Sequence, residues 1–297
     1  MSSAYTADSA GTDAGRGSEG PAGLRVRLPG GLELTFWHAL LIAAITFYAL
    51  AMPGDLRYKL SALGFGVCHQ IASHSFFIGG HQLPLCARCS GIYLGALAAL
   101  GMLAVLRRRS SRLPARHMIA ILAVFFTAML LDGINSTVQA LGGGLWHTTN
   151  LLRLFTGALA GISVACMFYP VFNLSLWHPD AASRERALEE PFELVGYMVG
   201  AGVLVGLVLM ADDWLFYPVS ILEIAGLLTL LTMANAILVL MLTRREGRAR
   251  TFSDALTPLL VGLLLTLIEL SLLAWGRASL APYLANNIGM PVVPGLP

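Results

Sequence analysis

The chain reads as an all-α polytopic bundle of about seven transmembrane helices with a cytoplasmic N-terminus, and three observations predict it. Of 297 residues, 56% are hydrophobic and only 12% charged, with a mean hydropathy of +0.71; soluble domains carry roughly one-quarter charged residues. Apolar runs close to the ~20 residues that a bilayer crossing needs recur about seven times. Arginine clusters fall in alternate connections, the asymmetry that sets orientation in a membrane.

Residues 1–33 are rich in Ser, Ala, Gly, Asp and Thr without apolar periodicity. They cannot bury enough surface to offset the entropy of ordering and are expected to form a disordered cytoplasmic tail. The transmembrane domain occupies 34–282, and an irregular tail, 283–297, follows it. The first span runs from about Phe36 to Met52. Ala49-Leu50-Ala51 resembles a signal-peptidase site, but the long polar leader ahead of it favours an uncleaved helix. After Pro53-Gly54, Leu56, Leu60, Leu63 and Val67 recur at helical spacing beside Arg57 and Lys59, which predicts a short helix in the interface. It opens an extracytoplasmic Cys/His loop over 53–90.

Span two covers Ser90 to Leu106, and Arg107, Arg108, Arg109, Arg112 and Arg116 follow it. Span three runs from Met118 to about Leu131 and is expected to end in Asp132-Gly133-Ile134-Asn135. A glycine-rich turn leads through Trp146 and His147 to Asn150; span four carries Arg153 in its first turn and ends near Pro170. Spans five (Phe192 to about Met210), six (about Phe216 to Leu242) and seven (about Ala255 to Trp275) complete the set. The arginine-rich connections after spans two, four and six mark the inner side, so the Cys/His loop, the 132–150 turn and the Asp212-Asp213 turn share the outer face. Trp146, Trp214 and Trp275 are expected at the outer interface, Trp37 and Trp177 at the inner one. Gly91 with Gly95, Gly157 with Gly161, and Gly196 with Gly200 are small-xxx-small pairs that let helix backbones approach.

This places the protein in the cell (inner) membrane with the lipid bilayer as its first partner. A net charge of +2 with dispersed basic residues offers no stripe for a phosphate backbone, which excludes nucleic acid as a partner class. No residue pattern specifies an oligomeric state.

The reactive side chains concentrate in the loop. Cys86-x-x-Cys89 puts two thiols within one turn, a spacing that lets both bind one tetrahedral metal; Cys68 and His69 complete a ligand set, with zinc as the metal that thiolate and imidazole select. The alternative is a disulfide or thiol–disulfide exchange, since an outer face is oxidising and Cys86 or Cys89 could pair with Cys68. Cys166 is too far to join them, about sixteen residues into span four and roughly 20 Å below the outer surface. A second group, Asp132, Asn135, Asn150 and Arg153, stands at two helix ends on the same face, with Asp132–Arg153 the expected pair. Glu223 and Glu269 lie inside spans six and seven and extend this polar path if they face the bundle interior; Asn235 is expected to bridge helices.

Cys68-His69-Gln70, the run Gly80-His81-Gln82-Leu83-Pro84-Leu85-Cys86-Ala87-Arg88-Cys89-Ser90-Gly91, then Leu131-Asp132-Gly133 and Asn150-Leu151-Leu152-Arg153, resemble the domain-of-unknown-function 2085 family of predicted membrane proteins. The resemblance spans about Val67 to Gly161. It departs at Ile71-Ala72-Ser73-His74-Ser75, where members carry a basic, proline-containing segment, and at Ser90, where threonine is common. It implies a multi-pass membrane protein and no particular activity. The residues themselves point to an outward metal site of Cys68, His69, Cys86 and Cys89 above a pocket of Arg88, Asp132, Asn135, Asn150 and Arg153. As an enzyme, such a site would run a metal-assisted reaction on a lipid or amphipathic substrate, with Arg153 or Arg88 holding an anionic group. The other classes are a membrane thiol–disulfide redox protein and a non-enzymatic scaffold or transporter whose metal pins the loop.

Overall fold

The computed structural model describes residues 26–27 and 33–288, and eight helices carry its architecture. Most of the expected N-terminal tail lies outside the described residues, as do residues 289–297; β1 (Val26–Arg27) pairs antiparallel with β2 (Glu33–Leu34). Helix α1 (Phe36–Ala51) is followed by α2 (Leu56–Phe65), bent from it by 107°. Then come α3 (Ala87–Leu106), α4 (Arg116–Ala140), α5 (Asn150–Leu176), α6 (Pro191–Met210), α7 (Phe216–Leu242) and α8 (Phe252–Ile288). Six of these are long and apolar enough to cross a membrane, and the α1–α2 pair makes a seventh if counted as one bent span. Helix α1 runs alongside α8 in the same direction, as His38 Nε2 meets Thr257 Oγ1 at 2.8 Å and Tyr48 meets Ser271.

The arginine-bearing connections gather at one end of the bundle. There β5 (Ser110–Arg112) pairs parallel with β6 (Ser183–Arg186), and Trp177 bridges to Ala249. Arg109 lies over the rings of Trp177 and Phe252, at 3.8 and 4.7 Å, and Arg107 pairs with Glu193. The Cys/His segment is at the opposite end, where Asn150 bonds to Ser73 and Ser75, Gly79 meets Asp213, and His81 packs edge-on to Phe216. All three outer loops inferred from charge therefore share one end. Trp146, Trp214, Trp275 and Trp37 are exposed, as interfacial tryptophans should be; Trp177 is instead buried beneath Arg109.

At the centre, α3 packs on α5 backbone to backbone. A Cβ on Gly91 would stand 2.2 Å from the Leu154 carbonyl oxygen, on Gly95 2.3 Å from that of Ala158, on Gly157 2.4 Å from that of Arg88, and on Gly161 2.1 Å from that of Ile92. Both glycine pairs expected from spacing thus face each other across one seam. The third expected pair, Gly196 and Gly200, meets the flexible end of Met102 and, at Gly200, the Ala98 Cβ at 3.9 Å, with no backbone as close. Gly226 of α7 makes an equally close approach, 2.3 Å from the Tyr93 carbonyl oxygen, which the spacing rule does not flag.

Three helix ends differ from the sequence expectation. Helix α4 continues through Asp132-Gly133 to Ala140 because a single glycine in a packed helix is tolerated, and Arg88 lies against this one. Helix α5 continues past Pro170 to Leu176, since in a bundle neighbouring groups can compensate for the missing donor. Helix α8 runs on to Ile288 rather than ending near Trp275.

Gly161→Ala should force α3 and α5 apart and lower stability by about 1–3 kcal/mol, read as a lower thermal midpoint in detergent. Gly101→Ala, on the same α3 but facing open space, should leave the midpoint unchanged or raise it slightly.

Candidate metal centre and the polar pocket beside it

The Cys/His segment is held by its own amides. Cys68 follows α2 directly, and Gln70 takes a positive φ of 51° that turns the chain back. Gln70 Nε2 then donates to the carbonyls of Ser61 (2.8 Å) and Pro84 (2.6 Å), clamping the two arms of the segment together. Gln82 Nε2 donates to the Gln70 carbonyl (2.8 Å) and to Ser75 Oγ (3.1 Å). Between the clamps, β3 (Phe77–Ile78) and β4 (His81–Gln82) form a short hairpin closed by Gly79 and Gly80 at positive φ.

This stitching brings Cys68, Cys86 and Cys89 together, with their three sulfurs within 4.8 Å of one another. A tetrahedral centre with metal–sulfur bonds near 2.3 Å holds its sulfurs about 3.8 Å apart, a spacing that this limit accommodates. The Cys68 sulfur accepts the backbone N–H of Cys86 at 3.1 Å and of Gln70 at 3.5 Å, bonds of the sort that orient a thiolate ligand. Cys86 caps the N-terminus of α3. Hydrogen bonds from the Cys68 and Cys89 thiols, then from the N–H groups of Cys89 and Arg88, hold its thiol well below the ordinary range. The same Cys68–Cys86 bond pushes the Cys68 thiol upward.

His69 does not join the sulfurs. Among the described residues the converging group holds three cysteines and no imidazole, and His69 is exposed. The reason is local: with the Cys68 sulfur tied inward to the amides of Gln70 and Cys86, the next side chain leaves on the outer side. His81 faces elsewhere too, its Nδ1 2.8 Å from an Arg57 guanidinium nitrogen. Cys166 is buried alone within α5.

The polar group beside the sulfurs is paired differently from the sequence expectation. Asp132, 2% exposed, forms its salt bridge with Arg88 and not with Arg153. Arg88 reaches across because its backbone lies directly against Gly157 and its guanidinium lies over Gly133. Arg153 instead bonds to two neutral partners, Asn150 Oδ1 at 2.8 Å and Ser136 Oγ at 2.9 Å. Asn135 is a loop clamp rather than a pocket residue. Its Nδ2 donates to the Trp146 carbonyl and Thr148 Oγ1, and its Oδ1 accepts from the amides of Leu145 and Trp146, which exhausts its capacity. Asn150 ties α5 to the Cys/His segment. A cavity of about 260 Å³ remains above Arg153, with His74 on its wall; burial, then the Arg153 charge, lowers the His74 pKa.

Glu223 and Glu269 part company. Glu223 is fully buried against Leu85 and Ser90, beneath the cysteines, with neither oxygen in a well-formed hydrogen bond. Glu269 is exposed on α8 and accepts from Asn235 at 3.0 Å, so it does not extend the interior path. Asn235 bridges α7 and α8 as expected, donating also to Thr266. Arg277 of α8 is a site residue the sequence reading missed. Its guanidinium donates to the carbonyls of Phe65 and Cys68 and covers the Phe65 ring at 4.0 Å. The signal was there: an arginine just beyond span seven, on the side where the charge rule disfavours one.

A family model described as a predicted membrane protein, domain of unknown function 2085, matches residues 68–167. An uncharacterized protein of Methanothermobacter thermautotrophicus is 31% identical over 101 residues, 34% of this chain and 83% of that protein. The chain belongs to this family. An uncharacterized protein of Methanocaldococcus jannaschii is 33% identical over 107 residues; the match covers 36% of this chain and 64% of that protein's length. No solved structure matches. The family segment opens at Cys68 and contains the cysteine triad, Arg88, Asp132, Asn150 and Arg153. Glu223 and Arg277 are contributed from outside it.

Asp132→Ala should strand the Arg88 guanidinium and cost roughly 3 kcal/mol. Arg88→Leu in the same background should recover a substantial part. A double-mutant cycle on thermal or denaturant midpoints in detergent measures the coupling, and additive single effects would contradict the pairing.

Proposed function

We propose that this integral membrane protein carries a thiolate zinc centre on its outward face, serving a reaction on a lipid or other amphipathic substrate. The observation that carries the reading is the convergence of Cys68, Cys86 and Cys89 with no fourth side chain among the described residues. Three protein ligands and a free position are the pattern of catalytic zinc sites, whereas structural sites are closed by four. The charge asymmetry of the loops supports an outward orientation.

A bound zinc would supply Lewis acidity at that position. The chain's own residues supply the remainder. Gln70, Gln82 and Arg277 hold the segment in place, Arg88 pairs with Asp132 beside it, and the buried Asp132 Oδ1 has no hydrogen-bond partner within the protein. Arg153 sits at the cavity wall to bind an anionic group. The cavity lies at the end of the bundle that carries the Cys/His segment, where the headgroup of an amphipathic molecule could be held while its tail stays in the bilayer.

One observation favours a second reading. Cys86 at a helix N-terminus, with Cys89 one turn on, is the arrangement of an attacking thiol and its partner in disulfide exchange. Metal analysis of the detergent-purified chain, with thiols counted after denaturation, separates the two. The zinc reading expects stoichiometric zinc and all 4 cysteines as free thiols, with zinc lost in Cys86→Ser and kept in Cys166→Ser. Metal-free protein with an oxidised pair would replace it with the redox reading.

A further inference from the structure

We infer that the cavity above Arg153 is a receptor for a phosphoryl group. The inference rests on the preceding reading for the pocket's role as a substrate site and deepens it by naming the anion, but its charge argument uses no metal.

Arg153 is 6% exposed, in the first turn of α5. Its two hydrogen bonds go to neutral oxygens, and its Nε has no partner. The nearby carboxylate, Asp132, is committed to Arg88, and Cys86 acts on Arg153 only through space. Two guanidiniums thus share one carboxylate. A buried charge without a hydrogen-bonded counter-ion is strongly unfavourable, and a guanidinium offers five N–H donors, of which only two are used within the protein. The remaining capacity lies beside the cavity of about 260 Å³ that Arg153 lines.

The lining identifies the anion's shape. Polar groups reach this cavity from four separate pieces of chain: Ser73 and His74 from the Cys/His segment, Ser136 from α4, Thr148 from the loop before α5, and Arg153 itself. A carboxylate is satisfied by one planar fork, whereas a tetrahedral oxyanion takes hydrogen bonds from several directions at once. Arg153 and Thr148 are buried at the base while Ser73 and His147 are exposed at the rim, so the cavity is closed below and open above. The space is larger than a phosphate alone needs, leaving room for its ester substituent.

The chemistry is shared by a phospholipid headgroup and by free phosphate, and the test separates them. The thermal midpoint of the full-length protein in detergent is followed against inorganic phosphate, dihexanoyl phosphatidic acid and, at matched ionic strength, sodium chloride, with zinc measured in every sample. The expected result is saturable stabilisation by phosphatidic acid, by phosphate, or by both, and none by chloride. A response to phosphatidic acid alone assigns a headgroup; a comparable response to inorganic phosphate assigns the free ion. Arg153→Gln should weaken the apparent affinity at least about tenfold, as expected for loss of a charged hydrogen bond. Ser136→Ala should weaken it severalfold, and serves if the first variant does not fold. A wild-type protein stabilised by neither probe, or a folded Arg153→Gln protein responding like wild type, overturns the inference. Phosphate binding by zinc-free protein would leave it standing and remove only the metal reading.

Discussion

The structure depends on one close approach, the glycine seam along which the backbones of α3 and α5 touch. Gly91 and Gly95 on one helix and Gly157 and Gly161 on the other leave no room for a Cβ on either side. In a bilayer, lipid tails are as apolar as leucine, so such helix contact is driven by packing more than by removal of surface from water. The seam also sets the site. It holds the first turn of α3, with Cys86, Arg88 and Cys89, beside the first turn of α5, with Asn150 and Arg153. Helix α4 then packs on α5 and brings Asp132 and Ser136 into the same space.

Around that fixed pair of helix ends, the polar groups divide into two kinds. Some are spent entirely on holding loops: Gln70, Gln82, Asn135 and Arg277 cross-link backbone carbonyls that would otherwise lie unsatisfied at the membrane mouth. Others keep unused capacity where a ligand could take it. The three sulfurs, the unpaired Oδ1 of Asp132 and the Nε of Arg153 belong to the second kind. The division assigns the loop clamps to stability and the rest to binding, on hydrogen-bond counting alone.

Much of this was legible in the sequence, for identifiable reasons. Span positions follow from apolar length, and α7 begins and ends where hydropathy places it. The grouping of three loops at one end follows from arginine placement, and the convergence of Cys86 and Cys89 from their one-turn spacing. What could not be read was helix rotation. Whether Asp132 meets Arg153 or Arg88 depends on how α4 and α3 turn against each other, and the sequence records that only through Gly133 and Gly157. The direction of His69 was hidden likewise, because it depends on where the Cys68 sulfur is tied. Glycines that approach a neighbour singly, such as Gly226, leave no periodic trace. Pro170 misled as a helix stop because the rule is calibrated on helices in water.

The central claim is that Cys68, Cys86 and Cys89 share one metal. X-ray absorption at the zinc edge of the detergent-purified protein tests it most directly. The account predicts a shell of three sulfur neighbours near 2.3 Å with a lighter atom completing the set at about 2.0–2.1 Å. A shell of nitrogen and oxygen only, or a three-sulfur shell that survives replacement of Cys68 and Cys86 by serine, would contradict it.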